Sequence, residues 1–179
     1  MCLRKWFRLR KLRRRARIYE GPCEDGGTRI KRDEDAPKEI RSRELLRFSC
    51  RFSTLSMLPS DTGLRPGQYS FVAVLEGDGV RGTAEYSAPG SGNTEERSAV
   101  YPPDFFPKLE ALIRQYGLAR YNGLYHKVSG LPSFYGSMVD AVYLSGETLY
   151  SYHNQDPFIP ADMMRELCRL YGLALYEEA

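Results

Sequence analysis

Apolar and polar positions alternate most clearly between residues 46 and 53, where Leu46, Phe48, Cys50 and Phe52 are separated by Arg47, Ser49, Arg51 and Ser53. A period of two predicts a half-buried strand, with its apolar side chains inward and two arginines outward. Tyr69, Phe71, Ala73 and Leu75 share one face of the next run, with Val72 and Val74 on the reverse. A strand apolar on both faces belongs in the interior of a sheet or beneath helices. Gly77-Asp78-Gly79 turns the chain, and Val80, Gly82, Ala84 and Tyr86 return in alternation with Arg81, Thr83 and Glu85. Antiparallel pairing through that turn is expected. Residues 88–99 are rich in Ser and Gly and carry three charges, so they read as a surface loop.

The period then lengthens. Phe105, Leu109, Leu112, Ile113 and Tyr116 recur at helical spacing, with Pro107 in the first turn and Gly117 as the stop. Leu118–Tyr121 and Leu124–Val128, joined by Asn122-Gly123, predict a small hairpin, because Asn-Gly suits a type I′ turn. Residues 138–152 predict a second hairpin folded at Ser145-Gly146, pairing Tyr143 with Thr148, Ala141 with Tyr150 and Val139 with Tyr152. A final helix runs from about Pro160 to Tyr171 on the stripe Met163, Met164, Leu167, Leu170 and Tyr171, and Gly172 ends it. Residues 112–121 match residues 167–176 at seven of ten positions. A duplicated hairpin–helix unit would give this likeness, and so would two amphipathic helices stopped by Gly with a Leu packing back. Both readings give an α+β fold: an antiparallel sheet of about five strands with two helices on one face.

Charge divides the chain. Residues 1–17 hold nine Lys or Arg and no acid, whereas the rest has 17 basic against 23 acidic residues. The plan is a basic arm (1–17), a disordered linker (18–43) and one domain (44–176), and 179 residues at 42% hydrophobic suffice for one such core. The arm carries Arg8, Arg10, Arg13, Arg14 and Arg15 beside Trp6 and Phe7. Such a segment can lie on an anionic membrane, contact nucleic-acid phosphates, or remain a solvated tail, the last being the plainest reading. Cys2, Cys23, Cys50 and Cys168 form no C-x-x-C, which suits free thiols in a reducing compartment. No apolar run approaches a spanning length and no secretory signal opens the chain, so a cytoplasmic location is expected, peripheral at the membrane if the arm attaches.

Motifs for chemistry are scarce. His126 and His153 lack partners at metal-ligand spacing, and the sequence has no nucleophile elbow, Walker loop or dinucleotide fingerprint. No catalytic residue, metal or cofactor is expected. Cys50 sits mid-strand on the apolar face and reads as a core thiol. His153-Asn154-Gln155-Asp156, before the last helix, can hold an anion at a helix N-terminus, but helix capping and Asx turns use the same residues. Thirteen tyrosines include Tyr135, Tyr143, Tyr150 and Tyr152. A buried ring with a polar tip suits a recognition surface. The candidate binding residues are therefore Tyr143, Tyr150, Tyr152, His153, Asn154 and Asp156.

Tyr143-Leu144-Ser145-Gly146-Glu147, running into Asn154-Gln155, Pro160 and a helix, resembles the carboxyl end of a family of small α+β proteins from anaerobic Gram-positive bacteria. The resemblance spans roughly residues 44–172 and implies a strand, a return strand, an Asn-containing loop and a last helix. It implies no activity and no site residue, and the Arg-rich front has no counterpart in it. The expected function is a non-enzymatic binding module whose partner is another protein, with the arm offering membrane or nucleic-acid contacts. A small enzyme with an unrecognised site, or nucleic-acid binding through the arm, is the alternative.

Overall fold

The computed structural model describes residues 27–90, 92, 94–132 and 135–175. The arm, with Arg8, Arg10, Arg13, Arg14 and Arg15, and the front of the expected linker lie outside these residues. Eight strands form one sheet: β1 (Thr28–Arg32), β2 (Leu45–Ser53), β3 (Gln68–Glu76), β4 (Gly79–Ser87), β5 (Thr94–Tyr101), β6 (Leu124–Val128), β7 (Ser137–Tyr143) and β8 (Thr148–His153). Their order is β1-β6-β8-β7-β2-β3-β4-β5. Every pairing is antiparallel except β6 with β8, which is parallel. The helices are the single turn α1 (Pro59–Thr62), α2 (Phe105–Gln115) and α3 (Ala161–Tyr171). The class is α+β, and the expectation of about five antiparallel strands is corrected to eight in a mixed sheet.

Helices α2 and α3 pack on one face, called inner here. Phe48, Cys50 and Phe52 of β2, Tyr69, Phe71 and Ala73 of β3, and Val139 and Ala141 of β7 meet Leu109 and Ile113 of α2 and Met163, Met164 and Leu167 of α3. Tyr171 of α3 joins the layers, with ring centroids 5.0 Å from both Phe71 and Phe105. Removing these stripes from water supplies the main drive for folding, since helices of this length are marginal alone.

Three expectations change, each for an identifiable reason. Residues 94–101 form β5 rather than a loop. The inner-face residues of this edge strand include Glu95 and Arg97, whose charges hid the alternation. Glu95 pairs with Arg65 at 2.7 Å, and the Arg97 guanidinium donates to the Gly172 carbonyl at the end of α3 at 2.7 Å. Residues 118–121 form a 3₁₀ turn, so β6 has no hairpin partner there and pairs with β1 and β8. The third change is the β7–β8 register. Val142 faces Thr148, Ala141 faces Leu149 and Met138 faces Tyr152, one residue away from the expected pairing. A slip of one residue turns every side chain of one strand to the opposite face. The connection is the three residues Leu144-Ser145-Gly146. With Gly146 at φ 93°, its N–H donates to the Tyr143 carbonyl and the Tyr143 N–H donates to the Glu147 carbonyl, at 3.0 Å each, while the Glu147 carboxylate accepts the Arg41 and Ser42 N–H groups at 2.9 Å each.

The same contact orders part of the expected linker. Besides β1, residues 33–44 are tied down by Arg114, which donates to the carbonyls of Ile40 (2.9 Å) and Ser42 (3.0 Å), and Ile40 is buried in the core. Over its described residues, the 18–43 segment is thus a strand and a strap rather than a free tether.

Candidate functional site: the outer face of the sheet

No helix among the described residues packs on the reverse of the sheet, called outer here. Register places its side chains in rows across the strands. One row runs Lys31, Tyr125, Tyr152, Met138, Arg51, Ser70, Glu85 and Glu96 from β1 to β5. The next contains Tyr150, Asp140, Ser49, Val72, Thr83 and Ser98. The face is therefore polarised. Its β1-β6-β8-β7-β2 half presents Arg29, Lys31, Lys127, Arg47 and Arg51 against the single carboxylate Asp140. The β3-β4-β5 half presents Glu76, Glu85 and Glu96 against Arg81, which pairs with Glu76 at 2.7 Å.

Aromatic rings lie inside the basic half. Tyr125 and Tyr152 stack, with centroids 5.1 Å apart and planes 26° from parallel. Tyr152 is 7% exposed, while Tyr125, Tyr150 and Met138 are half-buried and Arg51 is exposed. Burial pushes the Tyr150 phenol up, with the Tyr125, Asp140 and Tyr152 charges adding to it. Asp140 is also pushed up by burial, partly offset by Arg47, whose guanidinium is 2.7 Å from its carboxylate. The half is thus an amphipathic patch of ring edges with guanidinium and ammonium groups around it.

The sequence-derived candidates separate in space. Tyr150 and Tyr152 are on this face. Tyr143 lies on the inner face, fully buried, with its hydroxyl unpartnered and its phenol pushed up by burial. His153 also points to the inner side, opposite His126 in the parallel pair. Asn154 is 0% exposed and serves the sheet: its Oδ1 accepts the Val128 N–H at 2.7 Å and its Nδ2 donates to the Val128 carbonyl at 2.9 Å. It caps no helix, since α3 begins after Pro160 with no side-chain cap. Asp156 is in the turn, its side chain 75% exposed. Reading the sequence missed Tyr125, Arg51 and Lys127 as site residues, because only register brings them beside Tyr152.

Asn122 mirrors Asn154 at the other end of β8. Its Oδ1 accepts the Tyr150 N–H at 2.7 Å, and its Nδ2 donates to the Thr148 and Pro37 carbonyls at 2.9 and 3.0 Å. Two buried amides therefore bracket the parallel ladder, each making bonds that a neighbouring strand would otherwise make.

Two other places were candidates for chemistry. A cleft of about 250 Å³ at the sheet end is lined by Leu45, Leu75, Val80, Phe106 and Leu144, with Arg43, Glu44 and Asp78 also in its wall. On the inner side, His126 Nδ1 and His153 Nε2 are 2.5 Å apart, and the Asp156 carboxylate lies 3.8 Å from His153 Nε2. His153 Nδ1 accepts the N–H groups of Gln155 (3.2 Å) and Asp156 (2.9 Å). No group of three or more metal-capable side chains occurs among the described residues, nor is any described helix long and apolar enough to cross a membrane. No protein-family model matches the chain, and neither a curated protein nor a solved structure matches it.

Proposed function

We propose that this chain is a protein-interaction module that docks an acidic protein surface on the basic half of its outer face, around Tyr125, Tyr150, Tyr152, Met138, Arg51 and Lys127. The polarised row from Lys31 to Glu96 carries this reading. Half-buried tyrosines supply contact area at low entropic cost, and a rim of one charge sign steers a partner of the other.

Nucleic acid fits less well. Bases bind by stacking on free ring faces, and here Tyr125 and Tyr152 each give one face to the other while Tyr152 is only 7% exposed. The acidic half would also repel a strand continuing across the sheet. An enzymatic reading meets an obstacle of its own. The inner side does gather His126, His153 and Asp156, but Asp140 lies on the outer face and Cys50 in the core. Because His153 Nδ1 accepts two backbone N–H groups, the neutral ring carries its proton on Nε2 and donates it to His126 Nδ1. His126 then bears its own proton on Nε2. Neither ring has a lone pair left to act as a general base or bind a metal. Burial also raises both described thiols, Cys168 to about 12, so neither is a ready nucleophile.

Replacing Tyr125 with a photoreactive amino acid in the full chain, in cells, tests the docking surface. Irradiation should give a discrete adduct that protease, and not nuclease, removes, and Arg51→Glu should suppress it. The same probe at Glu96 should give none. A nuclease-sensitive adduct, or equal adducts from both positions, would rule the reading out.

A further inference from the structure

We propose that His126 and His153 form a proton-operated clasp, in which uptake of one more proton by the pair releases β6, and β1 with it, from β8. In the neutral pair one proton lies between His126 Nδ1 and His153 Nε2, 2.5 Å apart, and the other is on His126 Nε2. A third would have to go on His153 Nδ1, which faces the N–H groups of Gln155 and Asp156, or on His126 Nδ1, which faces the His153 N–H. Either choice sets donor against donor across a hydrogen-bond distance. The pair therefore cannot charge without losing either the contact between the rings or the turn after β8, which carries the Asn154 bonds to Val128.

The surroundings do little to relieve that charge. On the turn after β8, Asp156 favours it, but its side chain is 75% exposed and screened by water. From β1, Ile30 lies opposite His126, and the exposed Arg32 shares that face. From β7 the register partner of His153 is Ser137, whose hydroxyl, like that of Ser151 and His126 Nε2, is buried with no hydrogen-bond partner. Burial and the His126 charge hold His153 below the ordinary imidazole value.

Separation has a mechanical consequence because the ribbon of β1 and β6 joins the sheet through one short parallel ladder, Leu124–Ser151, Tyr125–Tyr152 and His126–His153. The histidines are the last rung, next to the Asn154 bonds to Val128. Opening them, with the Asn154 bonds to His126 and Val128 beside them, leaves two rungs, the Gly123 N–H bond to the Tyr150 carbonyl and the Asn122 bracket. The ribbon carries Arg29, Lys31, Tyr125 and Lys127, so its release would dismantle the basic patch. That last step rests on the docking surface proposed above, whereas the clasp does not.

Hydrogen–deuterium exchange on the full chain, expressed as protection factors to remove the intrinsic pH dependence, separates the two. Between pH 7.5 and pH 5, protection over residues 28–32 and 124–128 should fall about tenfold or more, with β2, β3 and β4 unchanged. His153→Asn keeps a side-chain acceptor for the two turn N–H groups but cannot titrate, so its ribbon should be equally protected at both pH values. Equal protection in the wild type, or an undiminished fall in His153→Asn, would overturn the clasp. If that variant does not fold, imidazole ¹⁵N shifts of the wild type decide. At pH 7.5 His153 should be protonated on Nε2 alone, and a proton on Nδ1 would refute the assignment.

Discussion

Single side chains set the register of this sheet where the backbone leaves it open. Parallel pairing between β6 and β8 has only three rungs, and the buried amides Asn122 and Asn154 fasten its ends. Asn154→Ala would leave the Val128 N–H and carbonyl, and the Leu131 carbonyl, without the amide that pairs them, in a part-buried site. A fully buried orphaned group costs about 1–3 kcal/mol, and water reaching the half-buried Val128 and exposed Leu131 recovers part of that, so a loss of about 2–4 kcal/mol in urea unfolding is expected. A loss below about 1 kcal/mol would mean the amide is dispensable. Glu147 gives a pH-dependent counterpart. The N–H groups of Arg41 and Ser42 hold its carboxyl below the usual glutamate range, the Arg41 bond contributing most. A carboxyl with a lowered folded value binds fewer protons folded than unfolded. Its stabilisation is thus complete above the unfolded value and disappears as pH falls through the folded one. Glu147→Gln should lie below the wild type by a constant margin above about pH 6, and should flatten stability against pH below about 4.5. A parallel wild-type and variant profile across that range would contradict the contact.

Elements show how far the sequence could be read. Strands with inner apolar residues and outer polar ones, such as β2 and β4, were legible, as were both long helices and their Gly stops. Leu118 and Leu173, which follow those stops, are both buried, and the likeness of residues 112–121 to 167–176 thus has a packing cause: a helix end on which the next Leu folds back. Strand β5 was not legible, since Glu95 and Arg97 make their inner-face bonds to residues far away in sequence. Nor was the β7–β8 register, which follows from a three-residue turn closed by Gly146 at φ 93° in place of the two-residue Ser-Gly loop. The candidate site suffered most, because that slip is what sends Tyr150 and Tyr152 to the outer face and leaves Tyr143 inside. Two glycines test this level. Gly172 has φ 75°, and a Cβ there would lie 2.8 Å from the Arg97 guanidinium carbon. Gly172→Ala should cost about 1–2 kcal/mol and raise exchange in β5, which Arg97 fastens to α3. At Gly136 a Cβ would come within 1.8 Å of the His153 carbonyl oxygen, so Gly136→Ala should destabilise the β7–β8 junction more than Gly172→Ala does. The reverse order in thermal unfolding would be inconsistent with that close approach.

At the scale of the whole molecule, two helices and a turn close one face of an eight-stranded sheet, and no described helix covers the other. This asymmetry explains why core residues and candidate site residues alternate along the same strands, and why composition alone conceals the site. The mildly acidic net charge of residues 18–179 averages over a face that is basic at one end and acidic at the other. Methionine reads out the two sides directly, since Met138 is half-buried on the outer face and Met163 and Met164 are fully buried on the inner one. Hydroxyl-radical footprinting of the full chain without partner should oxidise Met138 about tenfold faster than Met163 or Met164, because susceptibility follows exposure. Equal protection of all three would show that the outer face is covered in the free protein and is not the surface that partners reach.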